Sequence, residues 1–334
     1  MKAMIQSSYG GPDVLRLAEV PKPTPADNEV LLRIVATVAT PSDVAFRSGR
    51  PLVARLFSGL FRPRIAVNGD NVAGIVESVG IRVTRFSLGD RVFGSTGPGL
   101  GAYAEYRCLS EDAALAALPD GLGFGEAAGL ADGGLTALPF LRDVARLQPG
   151  QQILVNGASG CVGSAAVQLA RHMGATVIGV CSGRNVGRVR MLGAHEVIDY
   201  EREDFTARRD AYDVVFDAVG KSSFAGCRLA LRAEGIYLTT VPDFRALPAM
   251  LRKRGKRARF AATGLRPPAD KVRDLALLTD LFTAGHLRPL VDREYRLAQM
   301  PEAHAYVETG RKVGSVVVWI SDELAAPATS STES

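Results

Sequence analysis

The sequence predicts an α/β protein in which a doubly wound parallel sheet is inserted within a second, β-rich domain built from both chain ends. Three observations predict it. Between residues 126 and 262, short apolar runs alternate with helix-like stretches, ILVNGAS followed by GSAAVQLARHMG being the clearest pair. Strands joined by helical crossovers need that rhythm. The opening residues read instead as short runs broken by glycine and proline, among them EVLLRIVATVAT, DNVAGIVESVG and DRVFGSTG, which suits a compact barrel. Beyond residue 262, helical segments and the strand SVVVWI return the chain to the first domain. The expected division is therefore 1–125, 126–262 and 263–322, with a small, polar, disordered tail at 323–334.

The elements of the central segment follow in order. A helical stretch, GEAAGLADGGLTALPFLRDVARL, leads through a Pro-Gly turn to the strand QQILVN. Next come the helix GSAAVQLARHMG, the strand ATVIGVCS, the helix NVGRVRMLGA and the strands HEVIDY and YDVVFDAVG. FAGCRLALRAEG is composed of helix formers and is expected to be helical, ahead of the strand GIYLTTV. The basic run LRKRGKRAR reads as a solvated loop, with attraction of an anion or substrate as the alternative. DKVRDLALLTDLFTAGHL and EYRLAQMPEAHAYVETG read as two further helices.

Composition narrows the function. With 334 residues, 47% hydrophobic and 22% charged, the chain has the make-up of a soluble two-domain enzyme. No apolar stretch approaches the roughly 20 residues that cross a bilayer, so no membrane association is expected. The start, MKAMIQSSYGGPDVL, lacks the apolar core of a secretory signal, and a cytoplasmic location is expected. The net charge of +5 is mild and no recognition motif accompanies it, so nucleic acid is not an expected partner. Cys108, Cys161, Cys181 and Cys227 form no C-x-x-C pair, and the four histidines form no H-E-x-x-H.

Gly157, Gly160 and Gly163 follow one strand and open one helix. Glycine there lets backbone amides approach a pyrophosphate, and the helix N-terminus adds unpaired N–H groups and partial positive charge. The expected contacts are Ala158, Ser159, Gly160, Cys161 and Val162. The adenosine end is read at the close of the next strand, where an acid usually selects NADH. VCSGRNVGR has Ser182 and Arg184 there and no acid, which suits the 2′-phosphate of NADPH; Arg188 reads as solvated.

Taken together, YGGPDVLRLAEVPKP, PSDVAFRSG, GDNVAGIVESVG, FSLGDRVFG, GAYAEY, GLTAL, PGQQILVNGASGCVGSAAVQLA, MLGAHEVIDY and FDAVG resemble the zinc-independent quinone oxidoreductase branch of the medium-chain dehydrogenase/reductase superfamily. The resemblance runs from residue 1 to about residue 320. It implies a GroES-like β-barrel catalytic domain, a Rossmann domain, a cleft between them for nicotinamide and substrate, and a homodimer through the Rossmann sheet edge. It also implies that Tyr200 lies near the adenosine phosphate, Thr136 near the nicotinamide, and Val219 and Gly220 along the cofactor, with Arg311 or Lys312 approaching it.

Zinc alcohol dehydrogenases of the superfamily hold their metal at positions that correspond here to Thr40, Asp70 and Asp132. Two carboxylates and a hydroxyl make a poor tetrahedral zinc site, so no metal is expected. The chain also departs from its own branch, which often carries asparagine at the position of Thr40 and aspartate at that of Asn71. Thr40, Asp70 and Asp132 are the candidate catalytic residues. If both aspartates face one cleft, one of them should hold its proton and could pass it to an enolate; alternatively each caps a turn or pairs with an arginine. Residues 50–67 could wall a site for a small hydrophobic substrate, since Leu56, Phe57, Leu60 and Phe61 fit one helical face, or they could simply be core. The expected activity is metal-free, NADPH-dependent reduction of an activated C=C bond in an enone, enoyl or quinone substrate. The alternatives are non-redox proton transfer (isomerase, cyclase or dehydratase) by Asp70 and Asp132, and NADPH binding without turnover.

Overall fold

The computed structural model describes residues 1–52, 55–241 and 244–321, with Leu56, Phe57 and Phe244 described by their backbone alone. The segment 323–334 read as a tail lies outside the described residues. The chain divides into two compact units. The first comprises Met1–Asp132, Pro267–Thr279 and the residues from Leu290 onward; the second comprises Gly133–Arg266 and Asp280–Pro289.

The first unit opens with β1 (Lys2–Ile5) and β2 (Arg16–Glu19), an antiparallel pair. Its centre is β3 (Glu29–Ala39), whose β-branched and leucine residues are buried along almost the whole strand. Helix α1 (Pro41–Ser48) starts because Thr40 caps it, Pro41 fixes the first φ angle, and Asp43 completes a capping box; Gly49 ends it in the left-handed region at φ +64°. A single turn, α2 (Arg55–Ser58), follows. Then come β4 (Asn71–Val79), β5 (Arg91–Ser95), β6 (Tyr106–Ser110), β7 (Ala114–Ala117) and α3 (Phe124–Pro139), which begins in this unit.

The second unit carries β8 (Gln152–Asn156), α4 (Cys161–His172), β9 (Thr176–Cys181), α5 (Val186–Met191), β10 (Glu196–Asp199), β11 (Tyr212–Asp217), α6 (Phe224–Cys227), β12 (Leu231–Thr239), α7 (Leu247–Met250) and β13 (Arg257–Phe260). The six strands are all parallel in the order β10-β9-β8-β11-β12-β13. This is the Rossmann order, whose direction reverses between β8 and β11, and ligands bind beyond the carboxyl ends of such strands.

The chain then passes through α8 (Pro268–Thr283), β14 (Val291–Arg296), α9 (Met300–Glu308) and β15 (Ser315–Trp319). β14 and β15 complete the sheet of the first unit, β14-β15-β3-β4-β5-β7, with β6 also on β3. Its core gathers Val30, Leu32, Ile34, Val72, Val76, Leu115, Met300, Val307, Val316 and Val318. This GroES-like barrel and the Rossmann sheet give the fold class expected. Among the described residues, no helix is long and apolar enough to cross a membrane.

Four local expectations need correction. FAGCRLALRAEG is helical only over Phe224–Cys227; from Leu231, which pairs with Tyr212 of β11, it is strand and runs on into the Ile236–Thr239 pairing with β11 and β13, against the helix propensity of LALRAEG. EYRLAQMPEAHAYVETG begins as β14, paired with β15, and becomes α-helical only at Met300, beside Pro301. The basic run is not all loop: Arg257–Phe260 is an edge strand with Ala258 fully buried, and Arg257 pairs with Glu234 at 3.1 Å. Finally, Leu60 and Phe61 lie beyond the short α2 and are exposed, so the four-residue apolar face does not form as one helix; the side chains of Leu56 and Phe57 are among those not described.

Candidate functional site

In the second unit, β8 runs directly into the glycine turn. Gly157 sits at φ +80°, where a side chain is strained, and Gly160 accepts the role of N-cap without any side-chain cap on α4. The first amides of that helix have no intrahelical acceptor, as at any helix start. Gly163 lies so close to the turn that a Cβ on it would stand 2.1 Å from the Gly157 carbonyl oxygen. The turn and α4 are thus locked together by backbone.

Two sets of side chains frame this turn. Asn185 donates from its amide to Ser159 Oγ at 3.3 Å and to Ser182 Oγ at 3.1 Å, tying the turn after β8 to the end of β9. All three residues are buried. Arg184, beside them, is exposed, and Tyr200 is exposed with its backbone N–H on the Cys181 carbonyl at 3.1 Å. The second set is organised by Asp217, fully buried at the end of β11. Its carboxylate accepts from Asn156 Nδ2 at 3.1 Å, from the backbone N–H groups of Val219, Gly220 and Ser222 at 3.3, 3.0 and 2.7 Å, and from the Tyr237 hydroxyl at 3.0 Å. It thereby sets the loop carrying the partly exposed Val219 and Gly220 beside the glycine turn, and a Cβ on Gly157 would meet Val219 Cγ1 at 2.4 Å.

Asp217→Asn leaves an amide NH₂ facing at least one of these donors. A stability loss of roughly 2 kcal/mol is expected, read as a lowered urea midpoint with an unchanged slope. An unchanged midpoint would show that the loop holds itself.

Sequence reading missed Asn156, Asn185 and Asp217. It also missed an acid close to the adenosine end. Asp199, at the tip of β10, lies against Gly183, where a Cβ would stand 2.7 Å from its Oδ2; its Oδ1 accepts from Glu201 N–H at 3.1 Å. This carboxylate comes from the neighbouring strand, not from the close of β9. The turn, helix start, serines and Arg184 suit a dinucleotide phosphate group by charge and donor type.

In the first unit, Thr40 stands at the hinge from β3 into α1. Its hydroxyl donates to Asp43 Oδ2 at 2.7 Å, its backbone N–H donates to the same oxygen at 2.9 Å, and its oxygen accepts the Asp43 N–H at 3.2 Å. Asp43 is buried and also hydrogen-bonds the Tyr103 hydroxyl. Burial pushes its carboxyl up to about 7 against the opposing pull of Thr40 and Tyr103, and the charge of Asp132 adds to the rise. Asp132, half-buried on α3, therefore acts on Asp43 and Tyr103. Thr136 follows four residues later on α3, half-buried, and belongs to the second unit.

The string continues through Tyr103, whose hydroxyl is 3.2 Å from His304 Nε2. His304 is fully buried, and its Nδ1 has no hydrogen-bond partner. Burial, with the Arg47 charge nearby, pulls it down to about 3, so the ring is neutral. Arg47 is itself fully buried and pairs with Glu308 through Nη2. Tyr103, pushed well above its ordinary value by burial and by Asp43, keeps its proton.

Asp70 is differently engaged. Its Oδ1 accepts from Ser95 Oγ at 2.6 Å, Gly97 N–H at 2.8 Å and Thr96 Oγ1 at 3.4 Å, closing the turn after β5. The buried Lys271 donates to Ser95 Oγ at 3.3 Å. With the Thr40 hydroxyl spent on Asp43 and Asp70 Oδ1 filled, these positions offer no soft donor, and they do not fit zinc. Arg311 is exposed, its N–H on Thr309 Oγ1 at 3.2 Å, while Lys312 donates to the Gly314 carbonyl at 2.8 Å.

Comparison with known proteins gives concordant matches. Residues 26–120 match the alcohol dehydrogenase GroES-like domain family and residues 192–318 the family described as zinc-binding dehydrogenase. The chain is 34% identical over 328 residues to a quinone oxidoreductase of Pseudomonas aeruginosa, covering 93% of this chain and 97% of that protein. It is 33% identical over 340 residues to the chloroplastic NADPH-dependent alkenal/one oxidoreductase of Arabidopsis thaliana, covering 96% and 79%. Among solved structures, Escherichia coli quinone oxidoreductase complexed with NADPH superposes with a TM-score of 0.83 at 26% identity, over 96% of this chain and all of that one (100%).

Proposed function

This chain belongs to the medium-chain dehydrogenase/reductase superfamily, in its quinone oxidoreductase-like branch, and from that membership we propose that it is an NADPH-dependent, metal-free reductase of activated C=C bonds. Its substrates are small hydrophobic enones, enoyl compounds or quinones. The observation that carries this reading is a pairing within one chain. An intact phosphate-suited turn, cross-tied through Ser159, Asn185 and Ser182, occurs together with a catalytic position whose donors suit protons and not zinc. Bound NADPH supplies the hydride.

The protein's own part is orientation and charge. Amides of Ser159, Cys161 and Val162 receive the pyrophosphate, those of Ala158 and Gly160 being bonded to the Val180 and Gly157 carbonyls at 3.0 and 2.9 Å; Ser182 and Arg184 receive the 2′-phosphate, and Tyr200 flanks it. Val219 and Gly220, on the loop fixed by Asp217, line the nucleotide, with Thr136 toward the nicotinamide. Reduction of a conjugated carbonyl makes an enolate, whose oxygen needs hydrogen-bond donors and then a proton. Thr40 supplies that donor, while Asp70 and Asp132 shape the charge around it.

The test is the fall in NADPH absorbance on mixing with a panel of quinones and enones. No loss with any acceptor, at any protein concentration, refutes the reading. For the nucleotide preference, Arg184→Ala is expected to raise the KM for NADPH about tenfold and to leave that for NADH within about twofold. Equal change for both nucleotides would remove Arg184 from the 2′-phosphate.

A further inference from the structure

We propose that Asp43 and Thr40 form a proton-delivery pair, Asp43 holding the proton that the reaction consumes and Thr40 passing it on, with Tyr103, His304 and Arg47 holding the pair in place. The proposal rests on the reductase reading and names a residue that the metal-site comparison passes over. The geometry is specific. Both residues are buried, Asp43 at 2% and Thr40 at 5% exposure, and Asp43 Oδ2 faces the Thr40 hydroxyl at 2.7 Å. While Asp43 is ionised, Thr40 donates its hydroxyl hydrogen inward. Once Asp43 is protonated the bond reverses: the carboxyl O–H donates to Thr40 Oγ1, and the Thr40 hydrogen becomes available to an enolate oxygen. The Asp43 N–H, 3.2 Å from Thr40 Oγ1, keeps that oxygen in position in both states.

The step balances without a further reagent. After hydride addition the enolate carries the negative charge. The Thr40 O–H bond breaks as an O–H bond forms on the substrate, and the Asp43 O–H bond breaks as that of Thr40 re-forms. Asp43 is left as a carboxylate and is reloaded from solvent through the same hydroxyl.

The surrounding groups leave Asp43 as the one store. Asp43 meets Thr40 at the start of its own helix, Asp132 from α3 and Tyr103 from the segment before β6; behind Tyr103 stand His304 of α9 and Arg47, the latter paired with Glu308. Burial, with Arg47 nearby, keeps His304 neutral, and Tyr103 keeps its proton throughout. Burial and Asp132 together lift Asp43 to about 7, which matches a donor to its working pH. The neutral His304, through Nε2, fixes the Tyr103 hydroxyl that in turn bonds Asp43. Asp43 and Tyr103 are thus positioning and proton-holding residues, and Thr40 is the residue that touches substrate.

The experiment is a carboxyl titration by difference infrared spectroscopy on the full chain without substrate, comparing wild type, Asp43→Asn and Tyr103→Phe. One carboxyl is expected to titrate near neutrality, to vanish in Asp43→Asn, and to move up by about one pH unit in Tyr103→Phe, which loses a hydrogen bond to the charged form. Absence of any carboxyl titrating above about pH 5, or a Tyr103→Phe midpoint unchanged from wild type, overturns the store. The outlet is read in turnover. Thr40→Val is expected to lower kcat about 100-fold with little change in the KM for NADPH, and Thr40→Ser to restore it within a few-fold. Equal rates in Thr40→Val and wild type overturn the outlet. If the carboxyl titrates as described but no acceptor oxidises NADPH, the store stands and the reductase reading falls.

Discussion

Gly163→Ala is expected to weaken NADPH binding about 100-fold and to lower stability by about 3 kcal/mol, two losses of similar size. The added methyl would stand 2.1 Å from the Gly157 carbonyl oxygen, 2.8 Å from its carbon and 3.0 Å from Ala158 Cα. All three are backbone atoms, so no side chain can rotate away. Gly157 cannot yield either, since it is held at φ +80° with Val219 packed on its other side. Helix α4 must therefore withdraw by roughly 1 Å, carrying with it the amides offered to the phosphates and opening space behind Ala165, Ala166 and Leu169, which are buried. The intrinsic preference of a helix for alanine, worth about 1 kcal/mol, does not offset this. Gly187→Ala is the matched control. It too lies in a helix, α5, but a Cβ there meets nothing within 4 Å, so neutral or slightly raised stability and unchanged affinity are expected. Calorimetric titration with NADPH separates the cases. Wild-type affinity in Gly163→Ala would mean that the nucleotide does not use this turn.

That prediction is available because the turn is one of the features a sequence displays directly. Gly157 and Gly163 are demanded by backbone geometry, and backbone demands are local. The parallel sheet is legible for the same reason, its strands being continuous apolar runs set between helix formers. Where tertiary pairing competes with local preference the reading fails. Leu231 to Gly235 carry helix-forming residues, yet Leu231 pairs with β11 and the strand they open runs on between β11 and β13 from Ile236. The start of β14 is lost in the same way, because its partner strand β15 comes later in the chain, Val291 pairing with Ser315 and Arg296 with Trp319. The candidate site shows the two regimes side by side. The link from Thr40 to Asp43 is a capping box of four residues and could have been found from its spacing. Tyr103 and His304 are 201 residues apart, and nothing in either neighbourhood announces the other. Asp70 attracted notice through its match to a metal position, whereas its actual partners are the hydroxyls and amide of the Ser95–Gly97 turn.

The same string of buried groups predicts two opposing pH dependences of stability that hide each other in the wild type. The Asp43 carboxyl ordinarily titrates at 3.8 and is pushed up to about 7 in the fold. Between these values the folded chain holds a proton that the unfolded chain has lost, so stability falls as pH rises, by about 4 kcal/mol in all. His304 ordinarily titrates at 6.5 and is pulled down to about 3. Between those values the unfolded chain holds the extra proton, so stability rises with pH, by about 5 kcal/mol in all. The windows overlap from about pH 4 to about pH 6.5, where the slopes, about 1.4 kcal/mol per pH unit each, nearly cancel. Asp43→Asn removes the falling limb, so its stability relative to wild type is expected to increase steadily across that window. His304→Gln, which can still hydrogen-bond Tyr103, removes the rising limb, and its relative stability is expected to decrease. The double variant should run parallel to wild type again, because the two limbs are lost together. Urea midpoints measured at several pH values for the four proteins decide it, since differences against wild type cancel every other titrating group. If either single variant stays parallel to wild type from pH 4.5 to 6.5, that residue does not carry its shifted proton equilibrium in the folded protein.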